Sequence, residues 1–246
     1  MRLLHTADWH LGVTSGPAHR GTDHDRFFDW LVEQVDELEI DALLIAGDVF
    51  HNQQPSADAT QRWFDVLARL ARTGLAQIVV VGGNHDSAAR LAAPAQVLRA
   101  LDVHVVGGLT TEDVAAGHPI VPLRRRSGEL GAVALAVPFV HEFRLGVRTT
   151  DLDSAAVRQD FIERFAAVYR DLADEAERRH PGVPLVGMGH LTVGSRVRRD
   201  DFGQEIHGAA VREVGHEIGL EVGTIEALPV SLFDARLSYV ALGHLH

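Results

Sequence analysis

The sequence predicts an α/β fold around a central sheet, and three observations carry that prediction. Apolar runs of strand length alternate with longer segments of helical period. Residue types that ligate metals recur directly after those runs rather than between them. The length of 246 residues, 46% of them hydrophobic and 23% charged, suits one large α/β domain or two small ones, and such a chain buries ~70% of its unfolded surface.

The run RLLHTA, residues 2–7, is the first expected strand, and a helical pattern over about residues 25–38 follows it. DALLIAG, residues 41–47, is a continuous apolar run of strand length. A second helical pattern spans about residues 56–72, and AQIVVVGG, residues 76–83, is the next strand. The alternation continues through GAVALAVP (131–138), a long helix over about residues 154–179, PLVGMGH (184–190) and SYVALGH (238–244). Residues 193–217, rich in glycine and charge, read as an exposed loop or hairpin. Trp9, Trp30 and Trp63 are expected in the core.

No apolar run approaches the ~20 residues that span a bilayer, and the amino terminus lacks the apolar segment of a secretory signal. A soluble, cytoplasmic protein with no membrane partner is expected. The absence of cysteine excludes disulfides and thiolate metal sites, leaving His, Asp, Glu and Asn as donors. The net charge of −11 argues against gripping phosphate backbones by charge alone.

The residues after the strand-like runs are Asp8 and His10, then Asp48, then Asn84 and His85, then His190, and finally His244 and His246. In an open α/β sheet the carboxyl ends of the strands line the crevice where ligands bind, so five segments are expected to converge. Gly47, Gly83, Gly189 and Gly243 directly precede four of the five groups and permit sharp turns and close approach. Imidazole, carboxylate and amide donors without sulfur suit Mn²⁺, Fe²⁺ or Zn²⁺. There are more such residues than one tetrahedral site uses. Two ions ~3.5–4 Å apart with a bridging carboxylate would use them and would suit in-line attack at phosphorus.

Taken in order, DWH, GDVFH, GNHD, GHLTVG and GHLH resemble the motifs of the calcineurin-like metallophosphoesterases. HTADWHLG, GNHDS and YVALGHLH are most similar to the SbcD nucleases within that superfamily. The resemblance covers the whole chain. It implies a four-layer α/β/β/α sandwich with two central mixed sheets, spanning residues 1–246 as one nuclease core. It also implies that Asp8, His10 and His246 hold one metal, that Asn84, His190 and His244 hold the other, and that Asp48 bridges them. His85 matches the family's catalytic histidine, and His51 resembles a residue that assists at the phosphate. Mn²⁺ is the metal expected from the family. The implied activity is metal-dependent cleavage of DNA ends, hairpins or single strands in repair and recombination. The implied partners are the ATPase SbcC and a second copy of the chain. SbcD proteins continue past GHLH into a capping domain and an SbcC-binding segment, so the chain is expected to be a catalytic core without them.

Other readings compete. His5 has the opposite strand parity to Asp8 and His10 and is expected to pack and hydrogen-bond on the other side of the sheet. Asp86 is expected to orient a histidine rather than to ligate an ion. The basic runs at residues 124–126 and 196–199 are either DNA contacts or solvated loop faces. Another phosphoesterase on the same fold would carry GDxVDRG and GNHE, whereas this chain has GDVFHNQ and GNHD. A non-catalytic DNA-end scaffold would have lost ligands, and none is lost here.

Overall fold

The computed structural model describes residues 1–15, 18–147, 154–194, 198–199, 205–206 and 227–245. From the amino terminus these form β1 (Leu3–Thr6), the short pair β2 (Thr14–Ser15) and β3 (Ala18–His19), α1 (Gly21–Glu37), β4 (Ala42–Ala46), α2 (Ala57–Leu70) and β5 (Gln77–Val81). Then come α3 (Ala88–Ala92), α4 (Ala95–Leu98), β6 (Val103–Val106), α5 (Thr111–Ala116), β7 (Ile120–Arg124), β8 (Leu130–Ala136) and α6 (Ser154–Arg179). The last elements are β9 (Leu185–His190), β10 (Arg198–Arg199), β11 (Glu205–Ile206) and β12 (Leu237–Gly243).

Two four-stranded sheets dominate, in the orders β1-β4-β5-β6 and β12-β9-β8-β7. All pairings in the first sheet are parallel. The second is mixed, because β7 runs antiparallel to β8 while β8, β9 and β12 are parallel. Alternation along the strands builds the layers. Leu43 and Ile45 of β4 pack on one side with Phe28, Leu31, Trp63 and Leu67 of α1 and α2. Their neighbours Ala42, Leu44 and Ala46 face Ala134, Ala136, Val186, Met188 and Ala241 of the second sheet. The outer face of that sheet, with Val133, Leu135 and Leu185, is covered by Phe161, Phe165, Tyr169 and Leu172 of α6. Three apolar clusters thus separate four layers, α/β/β/α.

Local chemistry explains the element limits. The Ser56 hydroxyl accepts the Ala59 amide at 3.1 Å and caps α2. Thr110 and Asp113 form a reciprocal capping box on α5. Tyr169, buried in α6, donates its hydroxyl to the Met188 carbonyl at 2.8 Å, fixing that helix on β9. β6 and β7 lie at sheet edges. There β7 tolerates Pro122, whose carbonyl accepts Gln77 Nε2 at 2.9 Å.

Two expectations need correction or closer statement. Trp9 and Trp63 are buried, but Trp30 is 51% exposed. The inward stripe of α1 is Phe28, Leu31 and Val35, at i, i+3 and i+7, and Trp30 falls off that stripe, resting against Phe27. Within residues 193–217, β10 and β11 form an antiparallel pair; most of the remaining segment lies outside the described residues.

Candidate metal centre

Asp8, His10, Asp48, Asn84, His85, His190 and His244 all come from carboxyl ends of parallel strands, and those ends converge. The segments after β1 and β4 bond to each other: Asp8 N donates to Gly47 O, and His10 N to Asp48 O, both at 3.0 Å. In the second sheet the pairing of β12 with β9 sets Gly243 beside His190, and His244 N donates to both carboxylate oxygens of Asp8 at 3.0 and 3.1 Å. Strand β12 is thereby tied to strand β1 across the sandwich.

This convergence strains the backbone. Asp8, His10, Asp48 and His244 all have positive φ, at 58°, 46°, 49° and 102°. Non-glycine residues rarely take that conformation, and it concentrates where surrounding structure forces it. Gly47 has φ +92°, and a Cβ there would run into the His190 ring. A Cβ on Gly83 would strike the Asp48 carboxylate and backbone nitrogen. These two glycines therefore let side chains from different strands approach one another.

The side chains meet around Asp48, which is buried. Its Oδ2 lies 3.3 Å from His190 Nε2, 3.7 Å from His10 Nε2 and 4.0 Å from His85 Nε2. Its Oδ1 accepts the backbone amide of His85 at 2.9 Å. Asp8, His10 and Asp48 offer donor atoms within 4.8 Å of one another, as do His10, His51 and His85. On the other side, Asn84 Oδ1 is 3.0 Å from His190 Nε2 and 3.1 Å from His244 Nδ1.

The donor set fits a cation. His190 Nδ1 donates to the Ala46 carbonyl at 2.8 Å, which in a neutral ring leaves the lone pair on Nε2. That lone pair faces Asp48 Oδ2 and Asn84 Oδ1, both acceptors. Three lone-pair atoms aimed at one another repel unless a proton or a metal ion lies among them. Electrostatics agree. Burial alone would lower the His190 pKa, but the hydrogen bond and charge of Asp48 and the Ala46 carbonyl outweigh it and hold it above the usual value. Burial would likewise raise Asp48, yet His190 and His85 hold it below the usual carboxylate range.

His85 is held from behind, its Nδ1 donating to the His51 carbonyl at 2.9 Å. The His51 ring stacks on His85, 5.8 Å between centroids and 25° between planes, and sits 5.5 Å from the His10 ring. His51 Nδ1 is buried without a hydrogen-bond partner among the described residues. His246 lies outside the described residues. His5 stands apart from the cluster: its Nδ1 bonds Tyr239 OH at 3.1 Å, and burial lowers its pKa.

Asp86 does something other than expected. Among the described residues its partners are three backbone amides, Val49 at 3.1 Å, Phe50 at 2.9 Å and Gly83 at 2.9 Å, not an imidazole. Its carboxylate thus fastens the chain after β4 to the chain after β5. Burial pushes its pKa up against the pull of those amides. The ring of Phe139, 6.4 Å from both His190 and His244, also escapes a reading of the sequence, because the strand before it ends without a ligand-type residue. The basic run at 124–126 sits at the opposite end of the strands: Arg126 donates to the Ile40 and Val35 carbonyls, and its amide to Asp41. Arg198 and Arg199 lie in β10, and residues 196–197 are outside the described residues.

A four-layer α/β/β/α sandwich with a His, Asp and Asn cluster at converging strand ends is the architecture of a metal-dependent phosphoesterase. The profile of the calcineurin-like phosphoesterase family matches residues 1–246, and the chain belongs to that family. It is similar to the SbcD components of nuclease SbcCD from Rhodobacter capsulatus (37% identity over 259 aligned positions), Escherichia coli K12 (32% over 248) and Bacillus subtilis (35% over 250). Each comparison covers 100% of this chain but 58%, 56% and 57% of the respective relative, so the chain spans a little over half their length. No helix among the described residues is long and apolar enough to cross a membrane.

Proposed function

We propose that residues 1–246 form the catalytic unit of a two-metal DNA phosphodiesterase of the SbcD kind. The observation that carries this reading is the position of Asp48 Oδ2, within 4.0 Å of ring nitrogens of His190, His10 and His85. In this reading one ion takes Asp8, His10 and His246, the other takes Asn84, His190 and His244, and Asp48 is shared. Such ions, Mn²⁺ by family expectation with Fe²⁺ or Zn²⁺ suiting the same donors, supply Lewis-acid stabilisation of the charge that builds on phosphorus during in-line displacement.

The chain's own groups do the rest. With Nδ1 donating to the His51 carbonyl, His85 presents Nε2 to the cluster, where it protonates the departing sugar oxygen. His51, packed between the rings of His10 and His85, steadies a phosphate oxygen. The relatives' name supports DNA as substrate and an SbcC-type ATPase as partner, working in the cytoplasm, with a second copy of the chain as a further partner. With a net charge of −11, the chain must hold DNA through local contacts.

Hydrolysis of bis-p-nitrophenyl phosphate and of p-nitrophenyl phosphate, each with Mn²⁺ and with EDTA, tests the reading. Metal-dependent cleavage of the diester well above the monoester, together with cleavage of single-stranded DNA, is expected. Preference for the monoester would assign a phosphatase instead, and no hydrolysis at full metal loading would leave the scaffold reading.

A further inference from the structure

Beyond β8 the chain lays an unbroken series of rings from the metal cluster to the surface. Phe139 lies 6.4 Å from the rings of His190 and His244. His141 meets Phe139 edge-on at 4.9 Å, and Phe143 stacks on His141 at 5.4 Å with 17° between planes. The series ends in the open. Phe143 is 66% exposed, with the Arg144 guanidinium 5.5 Å over its ring.

The segment is anchored, so this exposure is not slack. Phe139 N donates to the Gly82 carbonyl at 2.8 Å, two residues before Asn84. Val140, Leu145 and Val147 are buried in the second-sheet core. Arg144 N bonds the His141 carbonyl at 2.9 Å, and Arg164 Nη1 bonds the Leu145 carbonyl at 3.2 Å. An aromatic ring held out from a fixed loop, at the end of a path from the cluster, needs an occupant that also reaches the cluster.

We propose that Phe143, backed by His141, is a stacking platform for an unpaired nucleobase of the strand whose phosphate lies at the Asp48–His190 cluster. The inference rests on the phosphodiesterase reading and adds to it what the strand is held by. Every base has a π face, so such a platform binds single strands without reading sequence. It supplies affinity that a net charge of −11 does not. Arg144 is the group an incoming base exchanges with, its guanidinium moving from the ring face to a neighbouring phosphate. A paired and stacked base has no free face, so the platform selects frayed or single-stranded ends.

The test compares the wild-type chain with Phe143→Ala and Phe143→Trp on three substrates. These are a single-stranded oligonucleotide, the same strand made abasic over its first few nucleotides, and bis-p-nitrophenyl phosphate, which is too short to span from the cluster to Phe143. Phe143→Ala is expected to raise KM for the base-bearing strand roughly 5- to 100-fold. It should leave the abasic strand and the small diester unchanged, and Phe143→Trp should restore binding. Equal losses on base-bearing and abasic strands would overturn stacking in favour of a general defect. Unchanged KM on all three would assign the ring to a protein surface or a second copy of the chain. If the wild type hydrolyses none of them, the phosphodiesterase reading fails. Quenching of 2-aminopurine in the bound strand, lost in Phe143→Ala, still decides the platform by itself.

Discussion

His190 and Asp48 meet across the two sheets, Nε2 to Oδ2 at 3.3 Å, with neither side chain more than 2% exposed. β9 supplies the imidazole and the end of β4 supplies the carboxylate. The contact therefore couples the packing of the sandwich to the chemistry at its edge. A buried carboxylate is costly without compensating charge, so the pair requires a proton or a metal ion.

Replacing Asp48 with Asn removes the one charge that faces both groups of donors. The variant should lose metal from both positions together, falling from two ions per chain to none at micromolar Mn²⁺. Metal analysis of the purified variant checks this. Retention of two ions would show that Asp48 is not shared.

The same pair sets a pH dependence. The folded pKa of His190 is raised, so its stabilising contribution in the metal-free protein is complete below the unfolded value of about 6.5 and is lost as pH rises through the folded value. Asp48 is depressed, so its contribution is present above about pH 3.9 and is lost only as pH falls through its lower folded value. Metal replaces the proton on Nε2, so its benefit should grow as that proton leaves. The Tm difference between Mn²⁺-loaded and EDTA-treated protein is expected to widen from about pH 5.5 to about pH 8. A constant difference would separate His190 from the metal.

Much of this arrangement is legible in the sequence because strand-end residues report their position. The run LLIAG ending in Asp48, and VVVGG ending in Asn84 and His85, combine a period that gives the strand with residue types that give the chemistry. Edges are harder to read. Val103–Val106 alternates buried and half-buried residues over only four positions, and Ile120–Arg124 contains Pro122, which reads as a break and is tolerated because the strand is an edge. Asp86 defeats the sequence reading because its partners are backbone amides, which carry no side-chain signature. Trp30 is misplaced by residue type, although the helical stripe through Phe28, Leu31 and Val35 already excludes it.

Asp86 should matter for stability more than for metal affinity. Asp86→Ala strips the acceptor from the amides of Val49, Phe50 and Gly83 and leaves them buried, at a cost of roughly 3 kcal/mol or more. Asp86→Asn keeps one carbonyl oxygen and should lose about half as much. Denaturant unfolding of the metal-free proteins gives the ranking. Equal stability of all three would mean that water replaces the carboxylate.

Gly47→Ala tests the close approach of the strands. The substitution adds a Cβ against the His190 ring at a backbone φ of +92°, so strain and clash act together. A loss of about 2–4 kcal/mol is expected, with Mn²⁺ affinity falling because His190 must shift. Calorimetric titration with Mn²⁺ measures the second effect. Unchanged affinity would show that the ring has room the structure does not give it.

His85→Ala separates chemistry from architecture, because of how His85 is attached. Its backbone amide, which holds Asp48 Oδ1 at 2.9 Å, survives the substitution, so the carboxylate keeps that support. What disappears is the ring whose Nδ1 is fixed on the His51 carbonyl and whose Nε2 lies 4.0 Å from Asp48 Oδ2. A group held by one nitrogen with the other directed at the cluster suits proton transfer, and general acid catalysis is typically worth 10²–10⁴-fold. The variant should therefore bind both ions and single-stranded DNA as the wild type does, while kcat falls by about that factor. KM for the small diester should not move. The alkaline limb of the pH–rate profile should flatten too, since the proton donor is gone. Loss of metal in His85→Ala would instead make the ring a ligand, and a wild-type kcat would leave the leaving-group proton to solvent.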